Sequence, residues 1–169
     1  MKIRAATIEG ADEVADVYIG SRRRHVAFAP LAHSDDEIRG WVRQVLIPKS
    51  SVLVIEEARR IVAMMSTSQS ANGSWIEQLY VHPDMTSSGF GAALVAEAKK
   101  ALPPPIQSYT FQQNLRSRSF YERLGFVAVE FTDGSGNEER CPDALYCWEK
   151  TPNQTPAPKS VLAPGRGPS

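Results

Sequence analysis

At 169 residues with 42% hydrophobic content, the chain is long enough to bury one sizeable core, and a single folded unit is the expectation. Its 19 basic and 19 acidic residues cancel to zero net charge, so no whole-protein field draws it to nucleic acid, and a small-molecule partner is the better reading. Cys141 and Cys147 have the spacing of neither a metal pair nor a redox pair, and no apolar run approaches bilayer length. With no signal-like segment ahead of them, this reads as a reduced, cytoplasmic protein with no metal site and no membrane partner.

Ile3 to Thr7 partly alternates and is predicted as a first strand. Gly10 to Arg24 follows as an amphipathic helix, with Val14, Val17 and Tyr18 at helical spacing, acids toward its start and arginines toward its end. The run Arg22 to Arg24 is read as a solvated helix end. Val26 to His33, interrupted by Pro30, is a loop. Ser34 and Glu37 then have capping-box spacing and open a second helix whose apolar face carries Ile38, Trp41, Val42, Val45 and Leu46, with Pro48 as its stop.

Ser51 to Glu57 and Arg60 to Ser68 are rich in β-branched and apolar residues and are joined by Ala58-Arg59, the pattern of an antiparallel hairpin. After a turn at Ala71 to Ser74 comes the strand Trp75 to Val81, stopped by Pro83. A helix from Gly89 to Leu102 and a strand from Ile106 to Phe111 flank the breaker Pro103-Pro104-Pro105. Ser117 to Leu124 is a short helix capped by Gly125 in the left-handed region. Phe126 to Phe131 and Ala144 to Trp148 are the last strands, separated by a polar loop from Thr132 to Pro142. The order β-α-α-β-β-β-α-β-α-β-β implies an α+β arrangement, or mixed α/β, with a mixed sheet. Residues 1–150 are the folded domain, and the tail 151–169, with five prolines, is expected to be disordered.

The junction between Val81 and the helix at Gly89 is chemically the most informative. A helix whose first turn is glycine and serine offers several unpaired N–H groups at a positive dipole end, where a pyrophosphate fits without a side-chain cation. A P-loop is excluded because Gly91 is followed by Ala92-Ala93 instead of Lys-Ser/Thr. A dinucleotide fingerprint is excluded because Leu94 stands where a third small residue belongs and the next strand ends near Phe111 without an acid.

Downstream, Asn114-Leu115-Arg116-Ser117-Arg118-Ser119-Phe120-Tyr121-Glu122-Arg123-Leu124-Gly125-Phe126 resembles the second cofactor motif of the GNAT superfamily of N-acetyltransferases, Asn-x-x-Ala-x-x-Phe-Tyr-Glu-x-x-Gly-Phe, with Ser117 in place of the alanine. Glu77 to Leu94 is similar to that family's acetyl-CoA-binding strand, loop and helix. The resemblance implies the GNAT fold, a single three-layer domain with a mixed, splayed central sheet and about four helices. It also implies acetyl-CoA as acyl donor, a primary amine of a small molecule as acceptor, direct attack by that amine, and a family in which homodimers occur by several edges. A protein or peptide N-acetyltransferase and a non-catalytic acyl-CoA-binding module are the alternatives.

By the same resemblance, Leu79, Tyr80 and Val81 would line the pantetheine arm, with Leu79 and Val81 presenting backbone groups. Thr86, Ser87, Ser88, Gly89, Phe90, Gly91 and Ala92 would hold the pyrophosphate, the Ser87 and Ser88 hydroxyls adding donors. Thr86 stands where the family usually has Gln or Arg, and weaker CoA affinity follows. Asn114 either bonds the cofactor arm or caps the next helix. Tyr121 is the family's usual acid toward the CoA thiolate, or else packs beside Phe120 and Phe126. Glu77, a carboxylate in an apolar strand, is either a general base with its pKa raised by burial or a salt-bridged rim residue. Phe28, His33 and Trp41 are candidate acceptor-wall residues, with core packing the alternative for Trp41. The loop Asp133 to Asp143 is either solvated or a ring of acids that attracts a polyamine-like or amino-sugar acceptor.

Overall fold

The computed structural model describes residues 1–151, so the expected disordered tail, apart from Thr151, lies outside the described residues. Seven strands form one open mixed sheet in the order β1-β2-β3-β4-β5-β7-β6. They are β1 (Lys2–Ala5), β2 (Ser51–Glu57), β3 (Arg60–Ser70), β4 (Gly73–Val81), β5 (Ile106–Phe111), β6 (Val127–Phe131) and β7 (Asp143–Trp148). The helices are α1 (Ala11–His25), α2 (Asp35–Trp41), α3 (Phe90–Ala101) and α4 (Leu115–Arg123). The predicted order of elements stands, with ends displaced by one or two residues.

Period-2 alternation in the strands sends side chains to two separate cores. On one face Val54 and Met64 meet Val14 and Val17 of α1 and Ile38 of α2. On the other, Ile55, Met65 and Ile76 meet Leu94 and Val95 of α3 and Tyr121 of α4. Helices on both faces make three layers. The β2–β3 hairpin turns at Ala58 and Arg59, both with positive φ (49° and 63°), the conformation a two-residue hairpin demands even without glycine.

The second helix departs from expectation. Ser34 makes both halves of the capping box with Glu37, but beyond Trp41 the chain widens into a π-helical stretch, Val42–Leu46, before a last turn, Ile47–Lys49. Pro48 therefore lies within the helical run instead of ending it. A proline ring strikes the carbonyl four residues earlier in a regular helix, and the extra residue of the wider turn moves that carbonyl aside. Val45 consequently faces solvent.

The feature that positions the site is between β4 and β5. They run parallel but share only two register pairs, Ser74↔Ile106 and Trp75↔Gln107, and diverge thereafter. On its other edge β4 stays paired with β3 as far as Ala63↔Val81, apart from a register shift at Glu77. Beside the wedge α3 packs against β2, β3 and β4, and its Leu94 is fully buried beneath the sheet. Leu94→Ala should cost about 3 kcal/mol of unfolding free energy, read as an earlier urea midpoint with unchanged slope.

Candidate active site

The parting of β4 and β5 leaves one edge of β4 without a backbone partner. The His82 N–H donates to the Val62 carbonyl, which makes Val81 and Ala63 a non-hydrogen-bonded pair in the β3–β4 ladder. Alternation gives Leu79 and Met65 the same character. The N–H and C=O groups of Leu79 and Val81 therefore point away from β3 into the wedge, where β5 has already departed. A register shift at Glu77, the extra residue between Ile76 and Gln78, resets the alternation.

Two cavities fill the wedge. One, about 490 Å³, is lined by Leu79 to Val81, by the loop from Met85 to Ala92 and by Asn114, Phe120 and Tyr121. The other, about 560 Å³, is lined by Glu77 to Tyr80, by β5 and by the loop between β6 and β7. Val26, Leu79, Tyr80, Asn114, Ser117 and Tyr121 border both. The two chambers thus adjoin along these residues, Tyr121 among them.

In the first chamber, Gly89 takes φ +80° and precedes α3 without any side-chain cap. The Ala93 N–H is the first to find a helical acceptor, the Gly89 carbonyl, which leaves the amides of Phe90, Gly91 and Ala92 as the orphan donors of the first turn. Of the two serine hydroxyls expected to add donors, that of Ser88 is engaged within the loop instead. Ser88 donates to the Met85 carbonyl and Thr86 to the Pro83 carbonyl, so their protons tighten the loop and the backbone amides are left for a ligand. The sequence showed no cation in this loop, yet Arg116, Arg123 and His25 come to the chamber wall from α4 and the end of α1. Burial, with help from Arg116 and Arg24, lowers the His25 pKa.

Tyr121 is 5% exposed, packed edge-on against Phe120 and Phe126 and stacked on Tyr146. Burial pushes its phenol up to about 12, opposed by the Ser108 hydroxyl at 3.1 Å. Asn114 caps α4 by accepting from the Ser117 N–H at 3.1 Å, and in doing so sits on the border of both chambers. Glu77 is exposed, at the rim and not buried; its carboxylate accepts from Ser68 Oγ at 2.5 Å and faces the second chamber.

The roof of the second chamber overturns two expectations. Arg22 is not a solvated helix-end charge: it is 5% exposed, donates to the Ala29 carbonyl and pairs with Glu139 at 3.0 Å. Nor is the β6–β7 loop merely solvated. Glu138 reaches His33 at 2.5 Å, Glu139 holds Arg22, and Asn137 donates to both the Cys141 carbonyl and Asp143. The acids of Asn137 to Asp143 thus strap the loop to α1 and to the segment after it. Only contacts over more than a hundred residues make this visible, and sequence spacing carries no signal for them. Among the described residues, Glu77 and Asp143 are the chamber carboxylates without an ion-pair partner. Phe28, His33 and Trp41 stay outside the chamber wall, although Phe28 packs edge-on against Phe111, which lines it.

Burial also raises the phenols of Tyr18 and Tyr80, the latter opposed by Arg22 beside it. Below pH ~10 these phenols are neutral whether the chain is folded or not; above it the unfolded chain ionises while the native core resists. Stability should therefore be intact below about pH 10 and fall, by about 1.4 kcal/mol per pH unit for Tyr121 alone, as pH rises toward 12. Thermal melts at pH 9, 10 and 11 should show this loss, with a shallower fall in Tyr121→Phe.

Residues 48–128 match the family model described as an acetyltransferase (GNAT) domain. No curated protein matches the chain. Solved structures similar to it include a GNAT-family acetyltransferase from Bacillus cereus (16% identity, 89% of this chain and 98% of that one, TM-score 0.69). Another is the PaiA N-acetyltransferase from Thermoplasma acidophilum in complex with coenzyme A (23% identity, 87% and 98%, TM-score 0.66). A third is a ribosomal-protein-alanine N-acetyltransferase from Brucella melitensis (19% identity, 87% and 98%, TM-score 0.66). At these identities the likeness is one of fold.

Proposed function

We propose, from the match of residues 48–128 to the acetyltransferase (GNAT) domain and the shared fold, that residues 1–150 form a cytoplasmic GNAT-superfamily N-acetyltransferase that moves an acetyl group from acetyl-CoA to a primary amine of a small molecule. The observation that carries this reading is the open edge of β4 adjoining an uncapped helix N-terminus. The free backbone groups of Leu79 and Val81 suit an amide-bearing pantetheine arm, and the amides of Phe90, Gly91 and Ala92 suit a pyrophosphate. Acetyl-CoA supplies the acyl carbon and the thiolate that leaves.

The residues of the chain do the rest. A backbone N–H on β4 is available to polarise the thioester carbonyl. Tyr121, at the junction of the chambers and protonated throughout the working range, gives its proton to the departing sulfur. Glu77, facing the acceptor chamber, takes a proton from the attacking amine directly or through water. Three carboxylates, Glu77, Glu139 and Asp143, face one guanidinium, Arg22, in that chamber, and the surplus negative charge favours a cationic amine. The strapped β6–β7 loop bounds the chamber and favours a small molecule over a peptide threaded through it.

Titration calorimetry with acetyl-CoA should show binding at micromolar to millimolar concentration, and no heat at millimolar concentration would remove the reading. In an amine panel assayed by thiol release, Tyr121→Phe should lower kcat by about a hundredfold with coenzyme binding retained. Turnover of peptides alone, with every small amine inert, would instead assign a protein substrate.

A further inference from the structure

Ser108 occupies the point at which β5 leaves β4. Ser74↔Ile106 and Trp75↔Gln107 are the last rungs of the parallel ladder, and the next position on β4 is Ile76. Its carbonyl accepts a hydrogen bond from the Ser108 side chain at 3.1 Å, so the hydroxyl serves a backbone group at the apex of the wedge. The same oxygen lies 3.1 Å from the Tyr121 phenol. Ser108 is 3% exposed, so water does not compete for either contact.

Chemistry fixes the direction of both bonds. A carbonyl can only accept, so the Ser108 proton goes to Ile76 and the Tyr121 phenol donates to Ser108 Oγ. We propose that Ser108 is a positioning residue for acetyl transfer: its Oγ anchors the Tyr121 phenol oxygen beside the two chambers, the phenol proton turns from Ser108 to the sulfur as the thiolate forms, and the Ser108 hydroxyl then supports the phenolate left behind. This rests on the reading of Tyr121 as the acid.

The step balances as follows. The amine nitrogen bonds to the acyl carbon and gives up a proton to Glu77, directly or through water, the C–S bond breaks with its electron pair going to sulfur, and the Tyr121 proton passes to that sulfur. The Ser108 hydroxyl then turns from the Ile76 carbonyl to donate to the phenolate oxygen, until water returns the proton to Tyr121. Without that donor a phenolate would form in a pocket made of Phe120, Phe126 and Tyr146, where an unsolvated charge is costly.

The test is a double-mutant cycle on Ser108 and Tyr121, with kcat and KM for acetyl-CoA measured on an amine that the wild-type chain acetylates. Ser108→Ala should lose about tenfold in kcat with KM within about twofold, and Ser108→Thr, which keeps the hydroxyl, should recover most of that loss. Adding Ser108→Ala to Tyr121→Phe should cost nothing more. An equal loss in both backgrounds, or a loss confined to KM, would make Ser108 structural and overturn the inference. Wild-type kcat in Ser108→Ala beside an impaired Tyr121→Phe would remove Ser108 alone. Wild-type kcat in Tyr121→Phe would remove the acid reading and this inference with it. Thermal melts of each variant separate loss of fold from loss of rate.

Discussion

Backbone hydrogen bonding between β4 and β5 stops after two rungs, and the chemistry of this protein follows from that interruption. A buried strand edge with unmatched N–H and C=O groups is costly unless a partner completes it. Here the register with β3 forces Leu79 and Val81 to present those groups to the wedge. The fold thus carries an unsatisfied edge that a ligand with its own amides can satisfy. At the apex, where no ligand reaches, the Ser108 hydroxyl takes the Ile76 carbonyl.

The same opening explains why the two chambers have different characters. The chamber under α3 is walled by a helix N-terminus and by arginines from other elements, a setting for phosphate. The chamber under the β6–β7 loop carries an excess of carboxylates and a roof held by Arg22–Glu139 and His33–Glu138, a setting for a cationic amine. Tyr121 stands where they adjoin because α4 is tied into the core through Phe126 and Tyr146. The proposed acid is thus also a core side chain.

Much of this was legible in the chain. Periodicity placed every strand, and the pairing of Gly89-Phe90-Gly91 with Asn114 to Phe126 pointed to two walls of the chamber under α3. What was not legible depends on distant contacts. Arg22 reads as a solvated helix-end charge until Glu139, far along the chain, is seen beside it. Glu77 reads either as a buried base or as a rim residue, and only the structure shows it exposed and held by Ser68. Pro48 reads as a helix stop because nothing local announces a π-helical turn. Ser108, one small polar residue in a strand, gives no signal without its two partners.

Hydrogen exchange at the amides of Leu79 and Val81 tests the central claim most directly. In the free protein both should exchange orders of magnitude faster than the β3-paired amides of Gln78 and Tyr80, and acetyl-CoA should slow them selectively. Amides that are already protected in the free protein, or that coenzyme leaves unchanged, would mean that β4 has no open edge and would contradict the account.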